Sequence, residues 1–353
     1  MRFNVLLLAL CLRLAAADGP LPVPDLPQPL TNNAVAALTR EGRWEIYTFL
    51  GLGSGKTWRD LTNRAWAWRE GDSAWRELPP VPVPSGRLAA TACAVGGKIY
   101  LFGGYTVDAA GAEVSTPEVF RFDPATQAYT ACAPMPVPVD DAVSAVYQDR
   151  YIYLVSGWHN TGNTSAVQVY DTRSDTWQRA TEYPGVPVFG HAGGLAAGTL
   201  VIYGGVRVLP TPQDGLKYAP ARQSWLGQID PTDHAHIIWR PLQPPNNLSL
   251  YRSAATGVAT WGGLVVFAGG SPRPYNYNGL GYDKHPSEPV AEVFAYDVAR
   301  GEWSSAAAVR TIATMDHRGL LEHKGVFYLV GGMMADQTVI ARVTTFTLQE
   351  INQ

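Results

Sequence analysis

Six short apolar runs without polar alternation punctuate the chain, and each ends in glycine: Ile46 to Gly53, Lys98 to Gly104, Tyr151 to Gly157, Leu200 to Gly205, Leu264 to Gly270 and Val326 to Gly332. Unbroken runs of this length predict strands buried on both faces. The glycines predict a chain that leaves each strand at φ angles closed to other residues. A run of small apolar residues precedes each copy, as in Arg87 to Thr91 and Arg252 to Thr256, which this alignment puts at one repeat position. After a loop of variable length an alternating strand follows, at Val119 to Asp123, Val167 to Asp171, Leu226 to Asp230 and Val293 to Asp297. An aromatic closes each unit, at Trp75, Tyr129, Trp177, Trp239 and Trp303. Four strands per unit, repeated at intervals of roughly 50 to 65 residues, predict an all-β, six-bladed propeller.

The last unit runs out after its third strand, Val343 to Leu348, while Asp25 to Pro29 resembles the end of a fourth strand, Glu77 to Val81. The N-terminal stretch near residues 20 to 28 is therefore expected to complete blade 6 and leave no open sheet edge. Ahead of it, Arg2, the apolar run Val5 to Leu12 and Ala15 to Ala17 have the order of an export signal. The expected division is a signal peptide over 1–17 and one propeller domain over 18–353, periplasmic or secreted.

Composition narrows the function classes. The 353 residues are 46% hydrophobic with a net charge of −3, which gives no strong pull on nucleic acid or an anionic membrane. Membrane insertion is not expected, and the oligomeric state is left open between a monomer and a weak dimer. Cys93 and Cys132 fall on the innermost and outermost strands of one blade, too far apart to bridge. Both are expected as free, unreactive thiols. Gly51 to Thr57 imitates a phosphate loop, but Leu50 stands where its first glycine is required. His234 and His236 belong to a hairpin far from the channel, and a solvated turn is expected there rather than a metal. Asn163 to Ser165 and Asn247 to Ser249 have the form of glycosylation sequons.

Paired glycines, then aromatic-x-Asp, then Trp is the pattern of the Kelch family, and the resemblance covers nearly the whole chain after residue 17. It implies function in the loops around one end of the central channel. Strand starts bring Arg87, Asp140, Asp141, His191, Arg252, His317 and Arg318 there, and loops bring Trp158, His159, Arg207, Arg222 and Arg273 to Tyr282. In the last of these, Tyr275, Tyr277 and Asn278 beside Arg273 suit sugar recognition, since rings stack on apolar sugar faces and amides bind hydroxyls.

Ile46 to Ser54, Thr57 to Leu61, the proline-rich lead Leu21 to Pro29 and Arg273 to Tyr282 resemble a narrower group, the bacterial exported Kelch proteins of the N-acetylneuraminate epimerase (sialic acid mutarotase) type. That resemblance implies an isomerase interconverting anomers of a sialic acid or related acidic monosaccharide, with no metal or organic cofactor. The group's acid position falls on Gly205 here, and Arg222 supplies its arginine. Mutarotation needs a proton donor for the ring oxygen and an acceptor for the anomeric hydroxyl, and the carboxylate needs a cation. Arg222, His317, His191 and Asp141 are the catalytic candidates. Arg87, Arg252, Arg273, Tyr275, Tyr277, Asn278 and Trp158 are the binding candidates. The alternative is a non-catalytic propeller that binds a glycan or a protein.

Overall fold

A computed structural model describes residues 19–213, 215–245, 249–259, 263–305 and 312–348. The signal-like leader lies outside these residues, as does Asn247 of the second sequon. Five antiparallel four-stranded sheets follow one another along the chain, and a sixth sheet has three strands. Their innermost strands are Ala34–Arg40, Thr91–Val95, Val143–Tyr147, Ala192–Ala196, Ala254–Val258 and Leu321–His323. The second strands are the glycine-ended runs, and their side chains are almost wholly buried, as in Thr199–Tyr203, Leu264–Ala268 and Val326–Val330.

Those second strands have two buried faces because each sheet packs against both neighbours. One apolar cluster joins blades 1 and 2 through Phe49, Ile99 and Phe122. Others join blades 2 and 3 through Phe102 and Tyr170, blades 3 and 4 through Tyr153 and Ile202, and blades 4 and 5 through Tyr203 and Phe267. Blades 5 and 6 meet at Val266 and Phe327, and blades 6 and 1 at Tyr328 and Trp66. Each buried Phe or Tyr removes apolar area worth about 1.5–3 kcal/mol from water, so the ring is held by its seams.

The recurring closing aromatic has a second task. Tyr129 Oη donates to Pro79 O at 2.9 Å, and Trp177 Nε1 to Ala133 O at 2.8 Å. Trp239 Nε1 donates to Thr181 O at 3.3 Å and Trp303 Nε1 to Gln243 O at 2.7 Å. In every case the acceptor follows the fourth strand of the preceding blade. Trp75 Nε1 donates in the same way to Pro24 O at 2.8 Å, which places the N-terminal stretch in the fourth-strand position of blade 6. The expected closure is made, although by an extended segment rather than a ladder. Leu26 N and Leu30 N donate to Ala341 O and Ile340 O, while the prolines at 20, 22, 24, 27 and 29 have no N–H to give.

Just ahead of each innermost strand stands a residue with left-handed backbone: Asn32, Ala89, Asp141, Gly190, Arg252 and Asp316, with φ between 51° and 71°. Amides of successive blades donate backwards around the channel, Asp141 N to Ala89 O, Gly190 N to Asp141 O, Arg252 N to Gly190 O and Asn32 N to Asp316 O. At the fifth step His317 N takes the place of Asp316 N. The left-handed turn costs a non-glycine residue about 1–2 kcal/mol. In exchange it throws the side chains of this hoop across the pore.

The register of the hoop corrects the sequence alignment by two residues. Arg252 is equivalent to Ala89, not to Arg87, and Arg87 instead matches Leu250, both carbonyls receiving a glycine amide from the preceding blade. Shared Ala-Ala-Thr letters misled the alignment. The free thiols stand as expected: Cys93 is buried on an innermost strand, Cys132 half-buried on an outermost one, and burial pushes the Cys93 thiol up to about 11.

Candidate active site at the loop face

Four charges close the loop-face end of the channel. Arg252 grips Asp141 with Nε at 3.2 Å and Nη2 at 2.7 Å, and reaches Asp316 with Nη1 at 2.9 Å. Arg318 bonds Asp141 at 2.5 Å from its Nη1 and the Asn32 side-chain oxygen at 2.6 Å from its Nε. Asp316 also accepts from Thr31 at 2.8 Å and from Tyr275 Oη at 3.4 Å. All four charged side chains are buried, so two cations and two anions form a neutral plug drawn from blades 3, 5 and 6. Burial alone raises the Asp141 carboxyl, but Arg252 and Arg318 hold it below its ordinary value.

Above the plug lies a small pocket with an enclosed volume of ≈ 30 Å³, room for about one water. Asp141 and Arg252 form part of its wall, with Trp158, Phe189, Tyr105, Tyr218, Tyr277 and Tyr282 around them. Two further carboxyls complete it, Asp140 and Glu113. Asp140 is buried and accepts from Ser115 Oγ at 2.6 Å. A pair of bonds between Ser115 and Asn160, at 3.0 and 3.2 Å, fixes that serine across the seam of blades 2 and 3. Burial first, and then the Asp141 charge, push the Asp140 carboxyl well above its ordinary range. Glu113 stands at the exposed rim on the hairpin Tyr105–Val107 and Glu113–Ser115, and its carboxyl is also raised, by partial burial and by Asp141.

Of the residues singled out in the sequence, Trp158, Tyr277, Tyr282, Arg252, Asp140 and Asp141 meet at this pocket. Tyr275 lies beneath it, fully buried against Tyr251 and Asp316. His191 and His317 face the other side of the plug, on the wall of the central channel. Burial lowers them to about 4 and about 3, so both are neutral. Arg87 is elsewhere, in a blade seam 3.0 Å from Glu118. Arg273 pairs with Asp283 at 2.9 Å on the surface, and the Asn278 side chain caps the Leu280 amide at 3.0 Å. Arg222 is exposed on the blade 4 loop.

Gly205 is closed to any side chain. Its φ is +88°, and a Cβ there would stand 2.7 Å from His191 Cβ and 3.0 Å from His191 N. The acid implied at this position by the sequence resemblance has no space in this chain. Glu113, Tyr105 and Tyr218 were missed as site residues because they sit on excursions of different length, at positions with no repeat equivalent. Asn163 is also tied down, donating to Pro187 O at 2.9 Å and Val206 O at 3.0 Å. Among the described residues no group of three metal-ligating side chains forms, and the His234 ring packs at a tilt against Tyr151 of blade 3.

A family model described as the Attractin/LZTR1 β-propeller matches residues 53–339. The chain belongs to this propeller family. Kelch-like protein 15 of Mus musculus is 26% identical over 197 residues, which span 55% of this chain and 31% of that protein. A putative F-box/kelch-repeat protein of Arabidopsis thaliana is 30% identical over 156 residues, 42% of this chain and 43% of its own length. The chain thus spans about a third to two fifths of these relatives, all of them Kelch proteins by name. The solved structure of YjhT superposes with a TM-score of 0.72 at 15% identity, covering 94% of this chain and 98% of that one. These likenesses identify a Kelch-type propeller.

Proposed function

We propose that the protein is a sugar-handling Kelch propeller, a mutarotase or epimerase that opens and closes a monosaccharide ring by acid–base catalysis at the loop-face pocket. One observation carries the reading: two carboxyls with raised affinity for protons, Asp140 and Glu113, share an aromatic-lined pocket with Arg252. Carboxyls shifted toward neutral pH can both donate and accept a proton, which ring opening and closing require of them in turn. Tyr277, Tyr282 and Trp158 offer ring faces for a sugar's C–H surface. The proton carriers are then Glu113 and Asp140 rather than His191 and His317, which lie across the plug.

The sequence resemblance supports a sialic acid or related acidic monosaccharide as substrate, in an exported, periplasmic or secreted setting. Arg252 is already committed to two carboxylates, so the ligand's carboxylate falls to the blade 4 loop. Arg222 is exposed there, and Lys217 Nζ sits 5.5 Å from the centre of the Tyr218 ring. No cofactor enters the scheme.

NMR of freshly dissolved α-N-acetylneuraminate, and in parallel of a neutral hexose, tests it. Acceleration of anomer exchange over buffer is expected, falling about 10²–10⁴-fold in Glu113→Gln or Asp140→Asn. No acceleration of either sugar, or full rates in both variants, overturns it. The alternative of a binding-only propeller draws on the pocket's small enclosed volume and on Gly205. Saturable sugar binding without faster exchange would establish that alternative.

A further inference from the structure

The loop-face pocket has an excess of negative groups. Among the described residues the Glu113 carboxyl has no ion pair and no hydrogen bond, and the Asp140 carboxyl has only the Ser115 hydroxyl. Arg252, the one cation on the wall among the described residues, is held by Asp141 and Asp316, and with Arg318 these four charges sum to zero. Once ionised, Glu113 and Asp140 therefore have no protein cation to answer them. Both are raised chiefly by burial, a cost that a bound cation offsets by supplying the opposite charge.

Six aromatic rings surround these carboxyls. Trp158, Phe189 and Tyr218 pack with centroids 5.5, 5.9 and 6.1 Å apart, and Tyr282 lies 4.2 Å from Tyr218. Tyr105 and Tyr277 belong to a second apolar cluster with Leu52 and Leu88. Tyr105 is 5% exposed, and its hydroxyl has no hydrogen-bond partner among the described residues. The Glu113 charge acts on the hydroxyls of Tyr105, Tyr218, Tyr277 and Tyr282 alike. Four phenol oxygens thus stand near one carboxyl. Ring faces attract cations, and phenol oxygens accept hydrogen bonds.

We propose that the pocket is a site for a primary alkylammonium ion, its NH₃⁺ head between Asp140 and Glu113 and its alkyl stem leaving past the aromatic rings. The head is close in size to a water, which is what the enclosed ≈ 30 Å³ admits. Its three N–H donors find acceptors in the two carboxyls and the phenol oxygens. A quaternary head is too large for that space and has no N–H to give. An anionic head meets only excess negative charge, and a metal ion finds no group of three ligating side chains among the described residues. The inference goes beyond sugar handling and rests on no step of it.

Isothermal titration calorimetry at low salt and about pH 7, with n-butylammonium chloride as the probe, tests it. Saturable one-to-one binding is expected. Affinity should fall about tenfold or more for n-butanol, which keeps the stem without the charge, and for tetramethylammonium, which keeps the charge without the N–H groups. Glu113→Gln, at the exposed rim, should keep its circular dichroism spectrum and weaken butylammonium about tenfold or more. Glu302→Gln, which removes an equal charge from the exposed outer strand of blade 5, should leave binding unchanged. Heats still linear at about 10 mM, equal affinity for butanol or tetramethylammonium, or equal losses in the two variants would overturn the proposal. Anomer exchange is measured without amine, so a protein that binds butylammonium and leaves exchange at the buffer rate keeps this inference and loses the sugar reading. The reverse pair of results does the opposite.

Discussion

Asp140 and Asp141 adjoin in the chain and are equally buried, yet they belong to opposite regimes. Asp141 lies in the plug between two guanidinium groups that favour its charged form, whereas Asp140 turns into the pocket, finds one serine hydroxyl and has its carboxyl pushed well above the ordinary range by burial. Burial is common to both. What separates a structural anion from a proton carrier here is the partner, and the left-handed backbone at Asp141 decides which of the two neighbours reaches across the pore.

The largest effect should come from breaking the plug. Arg252→Met leaves Asp141 and Asp316 buried without their shared cation, and loss of one member of a buried ion network costs about 3–5 kcal/mol. Urea denaturation of the variant should show a loss of that size. A loss under about 1 kcal/mol, the level of an exposed pair, would mean that the four charges do not hold the hoop.

The next largest effect sharpens the contrast through pH. In the unfolded chain both aspartates titrate near 3.9. Folded Asp140 keeps its proton to higher pH, so between these limits the unfolded chain has released a proton that the folded one retains. Stability therefore declines as pH rises through that window. Asp140→Asn removes the decline, and its stability relative to wild type should climb as pH rises above about 4. Folded Asp141 has a depressed value, so its stabilisation is complete above about 4 and fades as pH falls through that value. The cost of Asp141→Asn should accordingly shrink toward acid. Urea midpoints measured from about pH 3 to 8 read both curves, and parallel curves for the two variants would refute the distinction.

The six apolar runs, the glycines and the closing aromatics were legible in the sequence because the seams between blades impose the same demand six times. Trp75, Tyr129, Trp177, Trp239 and Trp303 recur because each must donate to the blade before it. The site was legible only where it reuses repeat positions, as at Asp141 and Arg252, or stands out in composition, as at Tyr277. Glu113 was hidden because nothing in a short hairpin's letters tells that it folds back over the neighbouring blade. Arg87 was misplaced for the converse reason. Matching letters in a repeat fix the strand but not the register, and a shift of two residues kept the same sheet face while moving the arginine from the pore to the seam.

The smallest effect concerns a link between the two regions through the tyrosine-rich loop. Tyr275 hangs from the loop that also carries Tyr277 and Tyr282, its ring lies under Arg252 at 5.3 Å, and its hydroxyl reaches Asp316 at 3.4 Å. Tyr275→Phe keeps the ring and removes only that long hydrogen bond, so it should cost about 0.5–1.5 kcal/mol or less. Tyr277 lines the pocket, so Tyr277→Phe should leave stability unchanged and act on the pocket. Sugar affinity then distinguishes two kinds of support. If Tyr275→Phe weakens sugar binding as much as Tyr277→Phe does, the plug sets the height of the tyrosine loop and the regions are coupled through Asp316. If affinity is unmoved while stability drops, the plug serves the ring and the pocket depends on its own aromatic wall.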